Sequence, residues 1–171
     1  MNIKVLIIHP YRHKPGGTGA DGVRQVIRTH LSHANWDEFD YTVVVPSISK
    51  YVEEYEATGS VHILDLSIRD HLALRRTRNP AYYVAYTASL LFQVVRLMRY
   101  IRHHRVDVVH SHSISYLGGA IAARLMRVPS IIHIHEGVDR FPTLLGRIYT
   151  FAMIRVADCI VATANHIAAQ F

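Results

Sequence analysis

Four histidines of the chain occur as two pairs with the same spacing, His110 with His112 and His133 with His135, each at the end of a short apolar run. Residues two apart in a strand point to the same face, so each pair predicts two imidazoles side by side. Neutral imidazole can donate and accept a hydrogen bond, and it can bind a metal ion. No carboxylate-bearing spacing frames the histidines, so we expect hydrogen bonds to a sugar or phosphate and no metal site.

The later member of each pair, His112 or His135, is expected to project past the end of its strand towards a ligand. The earlier members are expected to be core histidines with satisfied hydrogen bonds. Ser113 and Glu136 directly follow the later members and are candidates, with His112, for binding an acceptor or a sugar. Glu136 and Asp139 are the acids near the crevice, and either could act as a base or bind hydroxyls. The alternative for Glu136 is a loop acid that faces solvent.

A glycine-rich segment, residues 15–22, follows the first apolar run and leads into a helix pattern. Backbone N–H groups in such a loop can approach a phosphate, with help from the helix dipole. Gly17 and Gly22 fall within a G-x-G-x-x-G match, but a dinucleotide fingerprint starts at the strand end, and here eight residues intervene. We therefore favour a phosphate-binding loop that uses Gly16, Gly17 or Gly22, with a plain flexible turn as the alternative.

Short β-branched runs alternate with longer segments of helical periodicity along the whole chain. Strands are predicted at 3–8, 41–45, 61–64, 107–110, 130–134 and 158–161, and helices at 22–33, 82–104, 117–126 and 144–156. This rhythm predicts an α/β fold, an open doubly wound parallel sheet that is Rossmann-like, with at least six strands and helices on both faces. With the first strand central, the loops after strands one, four and five open onto one crevice.

Composition bounds the class of protein. The 171 residues suit one domain, and half of them are hydrophobic, which excludes disordered, collagenous and coiled-coil proteins. The single cysteine, Cys159, excludes an internal disulfide, fits a reducing cytoplasmic compartment and is expected to be a buried small hydrophobe. No signal peptide opens the chain, and its last residues lie in a helix pattern without a stop, so we expect the chain to be cut from a longer one.

The net charge of +6 is concentrated between residues 69 and 105, which hold eight arginines and one acid. One basic patch points to an anionic partner, and the alternative is a solvated loop and helix end. Arg96, Arg99 and Arg102 fall near an apolar face at the end of the long predicted helix. We expect them to meet an anionic membrane surface, and we expect no nucleic-acid binding.

Five segments, in this order, resemble the first half of retaining glycosyltransferases of the GT-B type, family 4 (group 1), the type of glycogen synthase and the phosphatidylinositol mannosyltransferases. They are residues 3–10, 15–17, 107–112, 128–135 and 157–162, and together they extend over nearly the whole chain. The glycine loop departs from the family pattern, because residues 18–21 are additional and leave open which glycine takes the family's role.

The resemblance implies that residues 1–171 form the acceptor-side domain of a sugar transferase whose donor-binding domain is absent from this chain. It implies that the glycine loop touches the donor diphosphate and that His135 contacts the transferred sugar near the reacting centre. It also implies a nucleotide-sugar donor, no further cofactor, no metal, and a sugar or lipid-linked acceptor, as in polysaccharide biosynthesis. Transfer with retention, no turnover by this stretch alone, and a cytoplasmic location peripheral to the inner face of the membrane are the corresponding expectations.

Two other classes of function fit the same residues. One is a nucleotide-sugar epimerase or an NAD-linked oxidoreductase on a related α/β fold. The other is a non-enzymatic α/β module that uses its arginine patch to bind an anion.

Overall fold

The computed structural model describes residues 2–9, 19–45, 51–59, 62–65, 80–113, 116–135 and 143–169. Within them, strands and helices alternate as β1 (Ile3–Ile8), α1 (Gly19–Ser32), β2 (Phe39–Val45), α2 (Tyr51–Glu56), β3 (His62–Asp65), α3 (Pro80–His104), β4 (Val108–His112), α4 (Gly118–Met126), β5 (Ser130–Ile134), α5 (Thr143–Val156), β6 (Cys159–Ala162) and α6 (Asn165–Ala168). The strands form one six-stranded parallel sheet in the order β3-β2-β1-β4-β5-β6. The order reverses beside β1, which confirms the open, doubly wound, Rossmann-like sheet predicted from the sequence.

Every predicted strand and helix is present within a few residues of its predicted position. Helix α1 begins at Gly19, three residues earlier than predicted. Helix α2 was not predicted, because its six residues are too few to show helical periodicity. It is held to α1 by Arg24, whose guanidinium donates to both carboxylate oxygens of Glu54 at 3.0 and 3.2 Å.

Alternate residues of β1 enter two different cores, one on each face of the sheet. Val5 and Ile7 pack in a cluster with apolar residues of α1, β2 and α2. Leu6 and Ile8 pack in a second cluster with α3 and α4. A third cluster joins β5 to α4, α5 and α6. Helices therefore lie on both faces, as a parallel sheet requires.

Two aspartates that precede strands fix the edge of the sheet opposite the predicted crevice. The backbone N–H of Lys4 donates to Asp107 Oδ2 at 2.8 Å. The backbone N–H of Ser130 donates to Asp158 Oδ2 at 2.9 Å, and its hydroxyl donates to the same oxygen at 3.2 Å. Each aspartate carboxylate thus accepts a hydrogen bond from a backbone N–H at the start of a neighbouring strand. Asp107 and Asp158 therefore both have a structural role.

Gly119 allows α4 to approach the centre of the sheet. A Cβ atom there would collide with Ile8 Cδ1 and with Ser111 Oγ. Both of those side chains are buried in β1 and β4 beneath the helix. Only glycine leaves room for this packing.

Cys159 is exposed, so the expectation that it is a buried small hydrophobe was wrong. It lies at the start of β6, the outermost strand. Ile160 and Ala162 pack against the α5 side of the sheet. Cys159 and Val161 therefore point to the opposite side, where both are exposed.

Candidate functional site

The carboxyl ends of β1, β4 and β5 meet at one edge of the sheet. Ile8 pairs with Ser111, and His112 pairs with His133, so the three strands end side by side. The backbone N–H of Ser113 donates to the carbonyl of His133 at 2.7 Å and holds the first residue after β4 against β5. The loops that follow these strands consequently begin at one place.

Nδ1 of His112 and Nε2 of His135 lie 3.1 Å apart in a hydrogen bond. The structure therefore brings together the two histidines that the sequence singled out. His135 is half-buried at the end of β5. His112 is only 1% exposed, which corrects the expectation that it projects into the crevice.

The four histidines of β4 and β5 form one continuous array of rings, which we call the histidine array. The ring centroids are 4.4 Å apart for His110 and His112, 5.2 Å for His112 and His133, and 4.5 Å for His133 and His135. His30 of α1 approaches His110 edge-on at 5.9 Å, so the array lies on the α1 side of the sheet.

The earlier members of the two pairs are not the satisfied core histidines that the sequence predicted. His110 and His133 are half-buried, and both are more accessible than His112. Nε2 of His110 is buried without a hydrogen-bond partner among the described residues. The reason is that β4 and β5 turn this face away from the apolar clusters that α4 and α5 complete.

Burial is the largest cause that lowers the pKa of each histidine in the array, and neighbouring imidazoles lower it further. The pKa of His110 falls to about 3, the pKa of His135 falls to about 4, and the pKa of His112 lies well below its usual value. All are therefore neutral at pH 7. They can exchange hydrogen bonds with a ligand but supply no positive charge to it.

Ser113, a predicted ligand-binding residue, is fully buried and has a backbone φ of +85°. Few residues other than glycine adopt this region, and such strain is often found at functional sites. The left-handed turn redirects the chain at the end of β4 while its N–H remains bonded to β5.

The glycine segment is described only in part. Gly22 lies in the first turn of α1, exposed, with no atom within 4 Å of the position of a Cβ. Gly16 and Gly17 lie outside the described residues, as does Glu136. Their assignments remain predictions.

His9, the residue after β1, was missed by the sequence analysis as part of this site. It is fully buried, and its Nδ1 lies 3.1 Å from the Tyr55 hydroxyl in a hydrogen bond. Burial, and then the charge of Arg24, lower the pKa of His9 to about 3. Like His135, His9 directly follows a strand, and this position in the sequence could have identified it as a site residue.

Three histidines of the array, His110, His112 and His133, each offer a ligand atom, and these atoms all lie within 4.8 Å of one another. This group is the one set of potential metal ligands among the described residues. The sequence analysis expected no metal site. The sequence shows the spacing of the two histidines within each pair, but it does not show how close the two pairs lie in the fold.

The predicted membrane-facing arginines lie on the last turns of α3, where Arg99 and Arg102 are exposed and Arg96 is half-buried. The guanidinium of Arg96 lies 5.9 Å from the ring centre of Phe92. Large exposed apolar residues precede the arginines on α3 and recur on α5; they are Leu91, Phe92, Val95, Ile148, Phe151 and Ile154. No helix among the described residues has the length and hydropathy needed to cross a bilayer.

The fold is shared with several solved structures. MurG from Acinetobacter baumannii is 16% identical with a TM-score of 0.60, and the match covers 96% of this chain and 42% of MurG. A UDP-N-acetylglucosamine 2-epimerase is also 16% identical with a TM-score of 0.60, and the match covers 99% of this chain and 44% of the epimerase. UGT2 from Phytolacca americana is 14% identical with a TM-score of 0.52, and the match covers 93% of this chain and 36% of UGT2.

These identities show a shared fold and no more, and this chain spans less than half the length of each structure. None of the curated proteins matches the sequence. The model of one family, Glycosyltransferase Family 4, matches residues 20–171, which is most of the chain and includes β2 to β6. The resemblance of the sequence segments is thereby confirmed, and the chain belongs to Glycosyltransferase Family 4.

Proposed function

We propose that this chain is the acceptor-side domain of a glycosyltransferase that moves a sugar from a nucleotide-sugar donor to an acceptor with retention. The observation that carries the proposal is the contact between His112 and His135 at the edge where β1, β4 and β5 end. In a doubly wound sheet, ligands bind at this edge, beside the strand where the order reverses.

His135 is the residue that we assign to the transferred sugar. Its ring is neutral, and its Nε2 is engaged with His112. This leaves Nδ1 of a half-buried ring to form a hydrogen bond with a sugar hydroxyl. The hydrogen bond to His112 holds the ring in one orientation, which reduces the cost of ordering it when the sugar binds.

The donor diphosphate is assigned to the segment before and at the start of α1, with Gly16, Gly17 and Gly22 near the phosphates. Helix α1 is the element that follows β1 in the chain, and the start of a helix attracts anions through its free N–H groups and its dipole. Arg24 adds a positive charge close enough to lower the pKa of His9.

The acceptor side is assigned to Glu136, while the buried His112 and Ser113 hold the ends of β4 and β5 together. A lipid-linked or polysaccharide acceptor is the class that we favour. On α3, exposed apolar side chains precede exposed arginines. Leu91 is 62% exposed and Phe92 is 65% exposed, which is unusual for such side chains unless they meet a partner. Apolar side chains beside arginines are suited to the interface of an anionic membrane, which would keep the domain beside a lipid acceptor.

Titration of the full-length gene product with a panel of nucleotide sugars tests the proposal, because the acceptor-side domain is expected to bind the donor only together with the donor-binding domain. We expect one of the UDP, GDP, ADP or dTDP sugars to bind in saturation-transfer NMR, and NAD not to bind. Binding of NAD alone would favour an oxidoreductase, and binding of neither would contradict the proposal. The full-length gene product then distinguishes the remaining classes, because a transferase requires an acceptor to consume the sugar nucleotide, whereas an epimerase converts it without one.

A further inference from the structure

We propose that His110, His112 and His133 bind a divalent first-row transition ion, and that Zn²⁺ is the ion they fit best. The three side chains lie on the α1 face of two neighbouring strands, and His112 is paired directly with His133 in the sheet. Imidazole nitrogen is a favoured ligand of zinc, copper, nickel and cobalt, and three histidines are a known ligand set for zinc. Nothing in the proposed sugar-transfer function requires this ion.

The distances are within reach of tetrahedral coordination. The candidate ligand atoms lie within 4.8 Å of one another. Zinc–nitrogen bonds of about 2.0 to 2.1 Å in a tetrahedron place two ligand nitrogens about 3.3 Å apart. Binding of an ion therefore requires the three rings to rotate towards one another until this gap is closed.

Lone pairs are available for the ion. Nε2 of His110 and Nε2 of His112 are both buried and have no hydrogen-bond partner among the described residues. Leaving a buried polar atom without a partner is unfavourable, so two such atoms on adjacent rings need an explanation. Coordination of one ion would satisfy both atoms together. The imidazoles are neutral at pH 7, as a metal ligand must be.

A supporting hydrogen bond is already in place. Histidines that bind metals through one nitrogen usually donate a hydrogen bond from the other. If Nε2 of His112 binds the ion, its Nδ1 carries the proton and donates to Nε2 of His135, 3.1 Å away. The ion would therefore fix the tautomer of both rings, and His135 would carry its own proton on Nδ1. Half-buried His133 provides a route to solvent, so a water can complete the tetrahedron.

The sequence analysis expected no metal site. Binding of Co²⁺ to the wild-type protein tests the proposed site and requires no variant. The metal-free whole chain is titrated with Co²⁺ and its visible absorption is recorded. We expect one ion per chain, with the intense bands of tetrahedral cobalt, and loss of those bands when Zn²⁺ is added. Weak octahedral bands, or no binding of either ion, would overturn the proposal.

Variants then locate the ion. His110→Asn and His133→Asn should each weaken Zn²⁺ binding by at least about 100-fold, which exceeds the loss typical of a residue that only supports a ligand. The controls are His62→Asn and His166→Asn, which alter exposed histidines on β3 and α6. Both controls should bind like the wild type. Equal weakening by the controls, or unchanged binding by His110→Asn and His133→Asn, would overturn the proposal.

Discussion

Nδ1 of His112 and Nε2 of His135 lie 3.1 Å apart, and this hydrogen bond connects the ends of two neighbouring strands. Because both rings are neutral, one nitrogen donates and the other accepts. The buried ring of His112 thereby sets the orientation and tautomer of the more accessible ring of His135. A small change at His112 should therefore reach the residue that we assign to the sugar.

Acid should destabilise the protein through its buried neutral histidines, of which His9 is the clearest. Its pKa is 6.5 when unfolded and about 3 when folded, so only the unfolded chain gains a proton between those values. The contribution of neutral His9 to the free energy of unfolding is fully present above about pH 6.5. Below that pH the free energy of unfolding falls by about 1.4 kcal/mol per pH unit.

Urea unfolding between neutral pH and about pH 5, with a metal chelator present, measures this loss. The amide of His9→Asn can take the place of Nδ1 beside Tyr55 but does not titrate, so this variant should lose less stability on acidification. His166→Asn, at an exposed position, is the control and should follow the wild type. The same slope for His9→Asn and the wild type would contradict the assignment.

Two glycine substitutions on helices should have opposite effects. Gly119→Ala places a methyl group against Ile8 and Ser111, and overpacking of this kind costs about 1 to 3 kcal/mol. Gly22→Ala meets no atom within 4 Å on an exposed turn of α1, so its better helix propensity should stabilise the protein by up to about 1 kcal/mol. Free energies of unfolding in urea compare the two, and a Gly119→Ala protein as stable as the wild type would refute the close packing of α4.

Asp158 should contribute to stability through its hydrogen bonds to Ser130. Asp158→Ala removes an acceptor for the backbone N–H and the hydroxyl of Ser130, with an expected cost of about 1 to 3 kcal/mol. Asp158→Asn keeps one oxygen acceptor and should cost less. Asp37→Ala, at an exposed aspartate before β2, is the matched control. Equal unfolding free energies for Asp158→Ala and Asp37→Ala would show that the carboxylate has no such role.

Membrane attachment should depend on the exposed end of α3. Arg99→Glu reverses one exposed charge about two helical turns after Phe92 on α3. Each basic residue near an anionic surface contributes about 1 kcal/mol, so partitioning should fall roughly 5- to 30-fold. Arg28→Glu makes the same charge change at an exposed site on α1, across the sheet, and should have little effect. Co-sedimentation with phosphatidylglycerol and phosphatidylcholine vesicles at low and high salt provides the measurement. Equal binding by the two variants, or no preference for the anionic lipid, would reject membrane attachment.

The fold was predictable because each strand is a short β-branched run and each long helix has an apolar period of its own. The central position of β1 and the adjacency of β4 and β5 were taken from the usual order of a doubly wound sheet, and the structure has that order. The convergence of His112 and His135 followed in turn, since parallel neighbours end at the same edge. Six-residue α2 escaped prediction because it depends on contacts such as Arg24 with Glu54, which lie far apart in sequence.

The depth of each side chain at the site could not be predicted. Strand periodicity gives the face of a residue but not what covers that face, so His112 was expected to be accessible and Cys159 buried, and the structure shows the reverse. The distance between the histidine pairs depends on the register of β4 against β5, which no residue pattern encodes. The three-histidine group emerged only when that register was known.

The central claim is that His135 contacts the sugar of the donor and not its diphosphate. The direct measurement is the dissociation constant of the full-length gene product for two ligands, with a metal chelator present. The wild type, His135→Ala and the control His166→Ala are compared. One ligand is the nucleotide sugar that binds the wild type most tightly, and the other is the matching nucleoside diphosphate. His135→Ala should bind the nucleotide sugar about tenfold more weakly, the loss expected for one hydrogen bond, and should bind the nucleoside diphosphate as the wild type does. The same loss for both ligands, or no loss for the nucleotide sugar, would contradict the account.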